Sequence, residues 1–310
     1  MPEMTPTYHV PIMRDACMQG LNIKPDGVYV DVTFGGGGHS RAILDQLSEQ
    51  GRLFAFDQDP DAAANVPEDA RFTLIPENFR FIRNFLRMHG VRQVDGVLAD
   101  LGVSSHQFDE GTRGFSIRMD GPLDMRMNPR TGFSAAEWLA KVSLEELMST
   151  LRLYGEVQRP DKCAHVIAKA REAGELKTTG ELMAAIRHLA PRGKENKYNA
   201  QVFQALRIVV NDELAALREM LLATTSLLPA GGRLVVMSFH SLEDRLVKHF
   251  MRSGNFEDEA RRDFKGALLA PFAPINRKAI VADAEELQRN PRSRSARLRV
   301  AERTETPLNA

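Results

Sequence analysis

Three kinds of residue mark a ligand site in this chain: acids at the ends of apolar runs, a run of glycines, and a histidine just beyond it. Asp31 closes the run Val28, Tyr29, Val30 and lies four residues before Gly35. Gly35 to Gly38 follow, then His39 and Ser40. Asp57 ends the next apolar run, residues 53–56, twenty residues after Gly37. Asp100 ends a third. A glycine turn between a strand and a helix lets backbone approach a ligand more closely than any residue with a Cβ allows. An acid about twenty residues on is placed to accept from the hydroxyls of a ribose. The order Gly35-x-Gly37 is half of a dinucleotide fingerprint, but Ser40 stands where its last glycine or alanine belongs. The nearby Asp31 repels a pyrophosphate but not the sulfonium and ammonium of S-adenosylmethionine. These residues favour a methyltransferase over a nicotinamide oxidoreductase.

The elements that must hold these residues alternate. Strands are predicted at residues 28–32, 52–56, 71–75 and 94–101, with helical segments between them near 43–47, 61–66 and 81–88. Such alternation implies a doubly wound parallel sheet whose ligands sit beyond the carboxyl ends of its strands. Asp31, Asp57, Phe79 and Asp100 all fall near those ends. Residues 104–222 carry no convincing strand. A long loop with Gly111, Gly114, Gly121 and Gly132, rich in Met and Arg, reads as functional because unstructured loops of that length are uncommon. Helices follow with capping-box signatures at Ser134/Glu137, Ser143/Glu146 and Thr178/Glu181. One further helix is expected over 200–222. The sheet resumes at 233–239, Ser241 and Asp244 are read as capping the next helix, and 279–281 and 296–300 are the candidate last strands. The domains read as 1–104 with 223–310, and an inserted helical domain over 105–222.

Composition excludes several classes. The chain has 310 residues, 43% hydrophobic and 26% charged, with a formal net charge of zero, so nucleic-acid contact must come from local patches. Six arginines between 289 and 303 stand against one Glu, and read equally as phosphate contacts or as charge guarding an edge strand. The Met119, Met125 and Met127 group reads as core. Cys17 and Cys163 form no metal or disulfide pattern and suit a reducing cytosol. No ligand spacing links His9, His39 and His240, so no metal centre is expected. No membrane span or signal core is readable, and a cytoplasmic location follows as the expectation.

Longer motifs give a resemblance. Thr33-Phe-Gly-Gly-Gly-Gly-His-Ser40, Asp100-Leu-Gly-Val-Ser-Ser105, Arg113-Gly-Phe-Ser116, Gly121-Pro-Leu-Asp-Met-Arg-Met127, Phe203-Gln-Ala-Leu-Arg-Ile208, Ser238-Phe-His-Ser-Leu-Glu-Asp-Arg245 and Asn290-Pro-Arg-Ser-Arg-Ser295 occur in one order. Together they resemble the RsmH (MraW) family over nearly the whole chain. These are bacterial S-adenosylmethionine-dependent methyltransferases acting on the N4 amino group of a cytosine in the decoding region of 16S rRNA. The resemblance implies a class I, Rossmann-like methyltransferase sheet with an inserted all-helical substrate-recognition domain. It implies cofactor contacts at Gly37, Gly38, His39, Asp57, Phe79, Asp100 and Gln107, with Asp100 also orienting the acceptor. It implies 16S rRNA within the small ribosomal subunit as partner, and a homodimer is compatible with it.

Two departures stand out. Gly36 replaces an arginine found in many members, and Ala200-Gln201 replaces a Thr-Arg pair, leaving Arg207 or Lys197 as substitutes for a phosphate contact. The motif after Asp100 lacks the Pro-Pro-aromatic of related amino-methyltransferases, so Phe115 or Phe239 is the expected stacking ring. An RNA-binding assembly module with a vestigial cofactor fold is the alternative from another class.

Overall fold

A computed structural model describes residues 11–307 except 175 and 267; His9 lies outside the described residues. Seven strands form one sheet: β1 (Val28–Asp31), β2 (Arg52–Phe56), β3 (Phe72–Ile75), β4 (Gly96–Asp100), β5 (Arg233–Ser238), β6 (Phe272–Pro274) and β7 (Arg297–Arg303), in the order β3-β2-β1-β4-β5-β7-β6. β1 to β5 are parallel, and β7 runs antiparallel to both β5 and β6. This is the class I methyltransferase order, with its reversed strand next to β5. Val30, Leu53, Val97, Leu98, Val235 and Val236 are fully buried. Both faces of these strands are covered, which is why they read as continuous apolar runs rather than as alternating ones.

The strand order reverses between β1 and β4. Asp31 pairs in register with Leu98, so Asp100 lies two residues further along at the same sheet edge. That reversal is where ligands bind in open α/β sheets.

The helices are α1 (Arg14–Leu21), α2 (Gly38–Leu44), α3 (Ile82–Met88), α4 (Ser105–Asp109), α5 (Ala135–Lys141), α6 (Leu144–Leu153), α7 (Pro160–Glu172), α8 (Thr179–Ile186), α9 (Glu195–Asn211), α10 (Glu213–Leu227), α11 (Ser241–Ser253) and α12 (Ala284–Arg289). None is long and apolar enough to cross a membrane. The chain divides into two compact units, residues 1–102 with 216–310, and residues 103–215.

In the sheet unit, α1 packs close against the sheet. A Cβ at Gly20 would stand 2.8 Å from Val300 and 3.2 Å from Val235. The helical unit has its own core, including Trp138, Leu147, Leu151, Ile167, Leu182, Val202, Phe203 and Leu206. Full capping boxes close on Ser134/Glu137 and Thr178/Glu181, whereas Ser143 accepts from Glu146 N–H without the reciprocal bond.

Several expectations are corrected. The single helix over 200–222 is two, because Asp212 adopts left-handed backbone (φ 49°) between α9 and α10. Helix α11 is capped by His240, whose side chain accepts from Glu243 N–H, so Ser241 is the first helical residue and not the cap. Residues 279–281 contribute one bridge, Ile280 with Leu298, while the edge strand is β6. β7 is therefore an interior strand, and two of the tail arginines are structural. Arg299 forms a two-point bond with Asp244 at 2.7 and 3.0 Å, and Arg303 donates to the carbonyls of Thr225, Pro271, Thr304 and Thr306.

The glycine-rich loop after α4 is built rather than loose. Arg113 is buried and donates to the carbonyls of Arg126 and Met127. Asn211 accepts from Met127 N–H at 2.7 Å and donates to Met125 carbonyl at 2.8 Å. Of the methionine group, Met125 is buried, Met127 packs on the core and Met119 is exposed. Gly114 sits at φ +75°, and a Cβ there would collide with Pro122 carbonyl and lie 2.8 Å from Asp124 N. Backbone on two sides cannot give way. Gly114→Ala should destabilise the helical unit by at least about 2 kcal/mol in denaturant titration. A change within about 0.5 kcal/mol would show that the loop is free to rearrange.

Candidate active site

The four-glycine turn is held in place by side chains from β2 and beyond. Asp57 accepts from Gly35 N–H at 2.7 Å and from Asp59 N–H at 2.8 Å. Asn65 donates to Gly35 carbonyl at 3.0 Å, and Arg41 donates to Gly36 carbonyl and to Asn65 carbonyl, each at 2.8 Å. Gly37 takes φ +75° and opens α2, which has no side-chain cap. A Cβ on Gly36 would meet nothing within 4 Å, so nothing steric excludes the arginine that the resemblance leads one to expect there.

Asp31 is fully buried, and its oxygens are spent inside the protein. One accepts from Thr33 N–H at 3.1 Å, and the other from Ser40 Oγ at 2.7 Å. It lies at the carboxyl end of β1, as the sequence suggests, with its side chain buried beneath the site. Thr33 carries the link onward, because its Oγ1 accepts from Asp100 N–H at 2.7 Å. Asp31, Thr33 and Ser40 thus fix the position of Asp100 across the β1–β4 boundary. Sequence reasoning missed Thr33 and Asn65 in this role; both are short polar residues whose partners lie far along the chain.

The Asp100 carboxylate is a quarter exposed. Oδ2 lies 3.5 Å from His39 Nε2, close enough for charge attraction but too long for a strong hydrogen bond. Among the described residues Oδ1 has no hydrogen-bond partner, nor has either His39 ring nitrogen, and all three atoms are buried. Buried polar atoms are ordinarily satisfied, and orphaned ones grouped together mark a place where a ligand completes the bonding. Burial alone would lower the His39 pKa, but the charges of Asp100 and Asp31 raise it above its usual value. Burial raises Asp31, against His39, Ser40 and Thr33.

Asp57 is pushed up to about 6 by burial, against the opposing bonds from Asp59 and Gly35 N–H. A protonated Asp57 is a poorer acceptor, so protons compete with any ligand that needs its carboxylate. If the protonated form does not bind, cofactor Kd should rise about tenfold from pH 7 to pH 5. Calorimetric titration across that window checks it, and a flat profile would remove Asp57 from the binding set.

Of the other expected residues, Gly38 and His39 begin α2, and Phe79 is half-buried past the end of β3, beside the Asn78–Gln58 bond. Gln107 belongs to the helical unit. It is buried, and its amide oxygen accepts from Ser104 N–H at 3.0 Å in a capping box. Phe115 is locked in the helical core, which removes it as a stacking ring. Phe239 remains half-buried past the end of β5, next to the strand that carries Asp100. Arg207 is held by Glu213 at 2.8 and 2.9 Å, so it does not replace the missing arginine, whereas Lys197 is exposed. Cys17 and Cys163 are buried free thiols; burial raises both pKa values, Cys163 to about 11, which leaves them inert as nucleophiles.

A model of the MraW methylase family matches residues 6–304. The chain belongs to the MraW methylase family. Its relatives include Ribosomal RNA small subunit methyltransferase H of Parabacteroides distasonis, 54% identical over 98% of this chain and 100% of that one. The protein of the same name from Bacteroides fragilis is also 54% identical, over 98% and 100%. Solved structures are more distant. An rRNA methylase from Streptococcus thermophilus is 10% identical, with TM-score 0.42 over 94% of each chain. Membership of the methylase family rests on the sequence match, and the fold class on the sheet order.

Proposed function

We propose that this methylase uses S-adenosylmethionine to methylate the N4 amino group of a cytosine in the decoding region of small-subunit 16S rRNA. The observation that carries the reading is Asp100, whose buried Oδ1 has no partner among the described residues, at the point where the strand order reverses. The family and the names of its relatives support rRNA of the small subunit as substrate.

The residues present fit this cofactor. The orphaned atoms of His39 and Asp100 call for hydrogen-bonding groups, and the carboxylates suit a cationic ligand better than a pyrophosphate. Gly37, Gly38 and His39 would hold its amino-acid end, Asp57 its ribose and Phe79 its base. Bound S-adenosylmethionine supplies an electrophilic methyl group on a sulfonium.

This chain supplies alignment and a usable nucleophile. The lone pair of a cytosine amino group is delocalised into the ring. Asp100, accepting from N4–H, favours a pyramidal nitrogen and stabilises the positive charge that develops as the N–C bond forms and the C–S bond breaks. The proton then leaves N4 through that hydrogen bond. Phe239, past the end of β5, would be the ring that stacks on the base. The target must be unpaired or opened to reach the site.

A substrate comparison tests the reading. Labelled methyl should pass to small subunits that lack the native modification, and not to subunits that already carry it. Equal labelling of both would point to a different acceptor.

A further inference from the structure

The opposite end of the sheet carries a feature that methyl transfer does not use. A surface cavity of about 420 Å3 is lined by Arg83, Arg87, Arg92, Ser226 and Leu227. Arg83 and Arg87 lie on α3, Arg92 precedes β4, and the other two end α10. All three arginines are exposed, and among the described residues none has an ion-pair or side-chain hydrogen-bond partner. Their neighbour Arg80 shows what pairing looks like here, because Glu219 of α10 holds it at 2.7 and 3.0 Å.

One ordinary explanation, pairing with an acid in the cavity, fails. No acid lines the cavity. The arginines make no side-chain hydrogen bond to the carboxyl end of α10 among the described residues, although cations commonly sit there. Thr224, Thr225 and Ser226 hydroxyls donate to the carbonyls of Leu221, Leu222 and Ala223. Leu228 N–H serves Thr224, Arg303 serves Thr225, and Val94 N–H serves Leu227. Arg83 and Arg87 are also four apart on one helix, where like charges repel. Three exposed guanidiniums lining one cavity, with no acid in the lining, form a concentrated positive patch suited to an anion.

We propose that this cavity takes phosphate groups of the substrate RNA backbone; the inference rests on the rRNA reading above. Arginine is suited to the task because its planar fork matches phosphate oxygens. The site lies at the amino end of β4, and that strand alone spans about 13 Å at 3.3 Å per residue, so it anchors RNA well away from Asp100. Phosphate contacts fix register and orientation without reading sequence.

The test is the triple variant Arg83→Gln/Arg87→Gln/Arg92→Gln, compared with wild type in methyl transfer to unmodified small subunits and in RNA binding across a salt series. KM for the subunit should rise about tenfold or more, with kcat and cofactor Kd close to wild type. The slope of log K against log salt should fall by about two to three, since each of the three backbone contacts contributes roughly 0.7 to 0.9. Melting temperature should not fall, because the substitutions relieve repulsion. Wild-type KM and salt slope in the variant would overturn the inference while leaving the rRNA reading intact. If wild type labels no small-subunit rRNA, that reading fails, and the salt slope of rRNA binding alone then decides whether the cavity takes RNA phosphates.

Discussion

Asp100→Asn should cut turnover by about two orders of magnitude or more, while the affinity for S-adenosylmethionine changes much less. The substitution keeps the shape and removes the charge. The backbone bond from Asp100 N–H to Thr33 Oγ1 survives, so the end of β4 stays in place. What is lost is an anionic acceptor for N4–H, which matters most when positive charge develops on nitrogen. The His39 ring, now without its nearest anion, should also titrate lower, since Asp100 is a cause of its raised pKa. Single-turnover methyl transfer beside calorimetric cofactor binding separates the two roles. Loss of binding and turnover in equal measure would make Asp100 a cofactor ligand alone.

The second large effect is on stability. Asp244→Ala should cost about 3–5 kcal/mol, because it leaves the buried Arg299 guanidinium without its partner. This pair ties α11 to β7, the strand whose reversed direction defines the sheet. Arg297, half exposed and 3.8 Å from Asp244, is a second cation and cannot replace the lost carboxylate. The double variant Asp244→Leu/Arg299→Met should lose far less, since no unpaired charge remains buried. Denaturant titration of both variants checks the comparison. A loss under about 1 kcal/mol in Asp244→Ala would mean that water reaches Arg299 and the pair acts like a surface bridge.

Much of the fold was legible because its signals are local. The β-branched runs at β1, β2 and β5, the glycine turn and the capping boxes are each set by neighbouring residues. What escaped was long-range. Asn211 and Asp212 are types that tolerate left-handed backbone, but the apolar stripe that continues across them hides the break. β6 is three residues long, with Ala273 and Pro274 exposed, and its pairing with β7 exists only through contacts nearly thirty residues away. The arginine tail looked like one feature. Its members divide by partner, with Arg299 buried on Asp244, Arg303 partly buried on backbone carbonyls and Arg297 half exposed. In the site, Asp57 and Asp100 stood out by type and position. The burial of Asp31 and the bridging role of Thr33 depend on how β1 meets β4, which spacing does not encode.

The central claim is a methyl group placed on the exocyclic nitrogen of a cytosine in small-subunit rRNA. The most direct measurement is nucleoside analysis of rRNA after transfer from methyl-labelled S-adenosylmethionine to small subunits lacking the modification. Label recovered as N4-methylcytidine is the predicted result. Label on a ring carbon, ring nitrogen or ribose would contradict the assigned chemistry, and cofactor binding with no labelled rRNA would favour an RNA-binding assembly module that retains only the cofactor fold.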